Sequence, residues 1–83
     1  MTWNHRVFEL EHNGEVYFEL REVYYNAQGE ICGHTQEAAS PMGEDINSLR
    51  RDLGLMLGAL DKPVLKVEEI NFASFDDDEG EDV

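Results

Sequence analysis

"EHNGEVYFELREVYYNAQGEI", Glu11–Ile31, decides the fold. Asn13-Gly14 is its first turn signal, because both residues tolerate the positive φ of a two-residue hairpin turn. "NAQGE" is the second, with Gly29 at the permissive position. Between them runs an alternating stretch, Glu15 to Tyr25. Val16, Phe18 and Leu20 share one face at period two, and Tyr17, Glu19 and Arg21 share the other. That alternation predicts a half-buried strand. A strand with a tight turn at each end predicts an antiparallel meander.

Working outward, Trp3 to Leu10 mixes apolar and polar residues and predicts the first strand. "ICGHTQE", Ile31 to Glu37, predicts the third, weakened by Gly33. "AASPMGED" is a loop broken by Pro41 and Gly43. A helix should follow, with Asp45 as N-cap. Ile46, Leu49, Leu53, Met56, Leu57 and Leu60 recur at three- and four-residue steps and form one apolar stripe. Arg50, Arg51 and Asp52 fall mostly on the other side. Gly54 and Gly58, each costing a helix about 1 kcal/mol against Ala, have two readings: close approach of another element, or tolerated small residues. Pro63 should stop the helix near Asp61. "VLKVEEINF", from Val64 to Phe72, is open to two readings, a short fourth strand or an extended arm.

The expected architecture is α+β: a three-stranded antiparallel β-meander with one α-helix packed on one face. The helix stripe and the Val16, Phe18, Leu20 face should supply the core. The opposite sheet face and the helix back are left for water or a partner. Eighty-three residues leave room for one core only. We therefore read residues 1–75 as a single domain. Residues 76–83 read as a disordered acidic tail, rich in like charges and poor in apolar residues.

The chain holds 19 acids and 6 bases, a net charge of −13. Six of the acids lie in residues 76–83, so residues 1–75 keep 13 acids against the same 6 bases, a net of −7. Phosphate backbones are bound mainly through Lys and Arg, so nucleic acid is disfavoured as a direct ligand. An anionic membrane is disfavoured for the same reason. A basic protein partner is favoured, because opposite fields steer encounter. The same charge also serves solubility. Cys32 is the one cysteine, which fits a cytoplasmic setting. No apolar run reaches the ~20 residues of a membrane span, and "MTWNHRVFEL" lacks the pattern of a signal peptide.

No catalytic set is expected. Cys32 lacks the elbow and orienting partner that an activated nucleophile needs, and no glycine loop of phosphate-cradling spacing is present. Cys32, His34, His5 and His12 are the best metal candidates, but the second ligand pair of a structural zinc site is missing. Neither metal nor cofactor is therefore expected. The candidate partner-binding residues are Glu9, Glu11, Glu15, Tyr17, Glu19, Glu22, Tyr25 and Glu30. Tyr17 and Tyr25 share the face opposite Phe18, and tyrosine is enriched in binding hot spots. Ordinary cross-strand packing is the plainer reading of the same residues.

"EVYYNAQGEI" and "SPMGEDINSLRRDLGLMLGALDKPVL" resemble a family of small, uncharacterised bacterial proteins. These share an E-V-Y-Y stretch, a P-x-G-E loop and a helix ending in a K-P-V-L type sequence. The likeness spans roughly residues 15–66 and implies no established activity. The order of three strands then a helix is also similar to HicB-like antitoxin domains, although their usual glycine-rich strand has no counterpart here. That resemblance implies a regulatory module and a homodimer. By size and charge alone, the chain is similar to phage inhibitors that imitate nucleic acid, including anti-CRISPR proteins. This likeness implies carboxylates filling the basic groove of a nucleic-acid-handling complex.

Overall fold

The computed structural model describes residues 2–74; the expected tail at 76–83 lies outside the described residues. Three strands form one antiparallel sheet in the order β1 (Thr2–His12), β2 (Glu15–Tyr25), β3 (Ile31–His34). The helix α1 (Ile46–Gly58) follows, continued by a 3₁₀ turn at Ala59–Asp61, and a second 3₁₀ turn lies at Val67–Glu69. The α+β meander expected from the turn signals is the architecture observed.

β1 and β2 pair without interruption from Thr2↔Tyr25 to His12↔Glu15. The turn between them is Asn13-Gly14, with φ of 53° and 83°. These are the left-handed values that the pair was expected to adopt. β3 pairs with β2 through a bulge beside Tyr24 and Tyr25. The chain keeps following β2 beyond β3, since Thr35 N–H donates to the Glu22 carbonyl and Ala39 N–H to that of Leu20.

The segment after the helix resolves both open readings of "VLKVEEINF". Leu65 makes one parallel bridge to Phe8 on the outer edge of β1. Its N–H donates to Val7 and its carbonyl accepts from Glu9, both at 2.9 Å. The chain then becomes an arm. It reaches the outer edge of β3, where Ala73 N–H donates to the Ile31 carbonyl.

That arm changes the core. Cross-strand register puts Trp3, His5, Val7, Glu9 and Glu11 on one sheet face with Tyr24, Glu22, Leu20, Phe18 and Val16. The other face carries Phe8 and Val23, the two side chains with no exposed area among the described residues. There the His34 ring lies 5.1 Å from Phe8 and 5.7 Å from Phe72 of the arm. Arg21 stacks over Phe8 at 5.4 Å. The face expected to be left for water or a partner is thus a core in its own right.

The expected core face is correspondingly open. Val16 is 56% and Phe18 58% exposed, and Leu20 is only half-buried. The reason is length. Eleven-residue strands span about 35 Å, whereas a 13-residue helix spans about 20 Å, so α1 cannot cover the hairpin. It sits over the Trp3–Val7 end, with Asp52 facing His5. It is also rotated. Met56 and Ala59 are buried, while Ile46, Leu53, Leu57 and Leu60 remain exposed. The stripe expected to be core is therefore only partly buried.

Asp45 caps α1 as expected, its Oδ1 accepting from Ser48 N–H at 2.8 Å. The P-x-G-E loop folds back over the first helical turns. Met42 N–H donates to Asp52 Oδ2 at 2.8 Å, and a Cβ on Gly43 would collide with the backbone of Ser48 and Leu49. At Gly54 and Gly58 a Cβ would meet nothing within 4 Å. These two are tolerated small residues, and among the described residues no element comes that close to them.

Candidate partner-binding surface

The sheet places the eight expected partner residues on two faces and one turn. Glu9, Glu11 and Glu22 lie on the helix side; Glu15, Tyr17, Glu19 and Tyr25 lie on the arm side. Glu30 is in the turn before β3, where its Oε1 accepts from Asn26 Nδ2. No single face unites them.

Several are occupied within the fold. Glu19 Oε2 accepts from Arg21 Nε at 2.6 Å, in a partly buried pair. Glu9 lies 3.5 Å from Lys66 Nζ. Glu22 accepts from the Tyr24 hydroxyl at 2.9 Å. This hydrogen bond, with burial and the Glu22 charge adding to it, raises the Tyr24 pKa above its ordinary 10.0. Tyr25 accepts from Arg6 Nη1 and donates to Asn4 Oδ1, while the same Arg6 donates to the Pro63 carbonyl. Tyr25 is therefore part of the bracing between β1 and the segment after the helix.

Glu11, Glu15 and Tyr17 remain, all at the tip of the hairpin. They are exposed, and no side-chain hydrogen bond or ion pair holds either carboxylate among the described residues. Tyr17 pairs across the strands with Leu10, and Glu15 with His12. His12, Glu15, Val16 and Tyr17 line a shallow depression there. On the other side of the tip, Glu9, Glu11 and Glu68 line a recess with Val16, Val67 and Lys66. The tip thus offers carboxylates beside exposed aromatic and aliphatic surface.

Sequence reasoning missed Val16 and Phe18 as surface residues, and missed Glu68 beside Glu11. Period-two alternation marks a face as apolar without saying what covers it. The position of Glu68 depends on the Leu65 bridge, which no local pattern encodes.

The candidate metal residues are dispersed. His5 is buried under α1, His34 sits against Phe8 and Phe72 on the opposite face, and His12 is at the hairpin tip. Cys32 is buried, its Sγ 3.5 Å from the Tyr24 carbonyl. Among the described residues, no three His, Cys, Asp or Glu side chains are grouped to hold a metal ion. No helix among them is long and apolar enough to cross a membrane. No family model matches the chain, and no curated protein or solved structure matches it significantly.

Proposed function

We propose that this chain is a non-enzymatic acidic interaction protein. It binds a basic, nucleic-acid-handling protein partner and inhibits or regulates it, in the manner of a nucleic-acid mimic. One observation carries the reading. Only Glu9 and Glu19 form ion pairs with Lys or Arg among the described residues, so most of the 13 acids in residues 1–75 have no cation. Carboxylates left unpaired in a chain of net −13 project a field that attracts a basic surface. The arm-side tip, with Glu15 beside Tyr17, combines such a carboxylate with an exposed aromatic anchor. The partner meets the protein there, in the cytoplasm, and neither cofactor nor direct nucleic-acid contact is needed.

The test is capture from a bacterial lysate by the full chain, with washes of rising salt and of duplex DNA as competitor. The reading expects a nucleic-acid-handling protein that salt and DNA both displace, and that E15K and Y17A fail to retain. Recovery of no such protein at low salt would overturn it. The order of three strands then a helix also supports a HicB-like regulatory module, which requires a small basic toxin encoded beside it.

A further inference from the structure

The helix and the hairpin tip each leave an apolar patch uncovered, and the two are complementary in charge. On α1, Ile46, Leu53 and Leu57 lie on one face, Leu60 of the following 3₁₀ turn extends it, and Arg50 lies among them rather than on the other side as expected. Ile46 is 68% and Leu57 65% exposed. Arg50 donates to Asn47 Oδ1 and has no carboxylate partner within 4.0 Å among the described residues, although the chain holds 19 acids. On the hairpin, Val16 and Phe18 lie on the sheet face that α1 itself packs against, with Glu11 directly opposite Val16. One patch is apolar and basic, and the other is apolar and acidic.

We infer that a second copy of this chain covers both patches: each helix lies on the other copy's hairpin tip. A two-fold arrangement makes the contact twice, with Arg50 of each copy facing Glu11 of the other. It also completes the sheet. One copy's α1 reaches only the Trp3–Val7 end, and the partner's α1 supplies the second helix that the Val16, Phe18 end lacks. The area is sufficient. Six side chains at this exposure present on the order of 600 Å² per copy before any rim is counted, against roughly 800 Å² per partner in a standard interface. Burying it removes apolar surface from water, which opposes the repulsion between two acidic chains. Glu15 and Tyr17, on the other sheet face, stay open, so the dimer is independent of the partner contact proposed above.

Sedimentation equilibrium of the full chain tests this. The expected species is a dimer of the 9.5 kDa chain. R50E and E11R each put like charges at both contacts and should weaken the dimer at least roughly tenfold. Mixing the two single variants, or combining both in one chain, restores opposite charges at both contacts and should restore the dimer. Circular dichroism of L57D, expected to be a folded monomer, shows whether the helix face is needed for association rather than for folding. A chain that stays monomeric at every concentration overturns the inference. So does a dimer that neither swap weakens, or one that mixing fails to rescue.

Discussion

His5 Nε2 lies 3.8 Å from Asp52 Oδ1, and this is where the sheet meets the helix. His5 is almost fully buried, and neither ring nitrogen has a hydrogen-bond partner among the described residues. The other oxygen of Asp52 holds the Met42 N–H. One carboxylate therefore touches the sheet, the helix and the loop before it. Asp52→Ala should cost about 1–2 kcal/mol, the scale of a lost charged hydrogen bond, read as a lower thermal midpoint. Asp52→Asn keeps an acceptor for Met42 and should lose less. Equal losses in the two variants would show that the loop contact contributes little.

The three glycines around the helix should separate cleanly. Gly43→Ala forces a Cβ into the backbone of Ser48 and Leu49 and should destabilise by about 1–3 kcal/mol. Gly54→Ala and Gly58→Ala meet open space and should each stabilise by up to about 1 kcal/mol through helix propensity. Denaturant unfolding of the three variants checks the order. A neutral Gly43→Ala would mean that the loop does not fold back on the helix.

Phe8 is fully buried on the arm side, between His34 and Arg21. Phe8→Ala should cost about 3–5 kcal/mol, enough to unfold much of a domain this small. Phe18→Ala, at an exposed site, should leave the fold intact. The opposite ranking would place the core on the other sheet face.

Stability should fall at both ends of the pH scale for different reasons. The Ser48 backbone N–H holds the Asp45 carboxyl below its ordinary 3.8. Its contribution is present above that value and is lost as pH falls through the lower folded value. Asp45→Ser keeps a capping oxygen without a titrating carboxyl, so it should flatten the acid limb of the helical dichroism. Tyr24 is the reverse case, raised above 10.0 by its hydrogen bond to Glu22. Its contribution is intact below 10.0 and lost as pH rises through the folded value. Glu22→Gln should move the tyrosinate absorbance transition of Tyr24 downward.

Removing residues 76–83 takes away six acids. The thermal midpoint should not change, and partner capture should weaken only in a salt-dependent way. Complete loss of capture at low salt would move the proposed binding function onto that segment.

Much of the fold was legible because the signals are local. Asn13-Gly14 and Gly29 are turns by their own backbone preferences, and Asp45 caps the helix through a bond three residues away. Glu15 to Tyr25 is a strand by its own alternation. The candidate surface was legible only in part. Glu9, Glu19, Glu22 and Tyr25 look like free surface groups in the sequence, but Lys66, Arg21, Tyr24 and Arg6 engage them in the fold. Of these four partners, Lys66 is the most distant in the chain.

By itself the sequence determined the three strands, the two turns, the capped helix and the excess of acid, each set by residues within a few positions of one another. Only the tertiary structure decided which apolar face is covered. Alternation and helical periodicity state that a face is apolar, but burial depends on what reaches it. The helix is too short for the hairpin, and the Leu65 bridge sends the arm across the face opposite to the expected one. Phe8 and Val23 are thereby buried, while Val16, Phe18 and the Leu53–Leu57 face of the helix stay open.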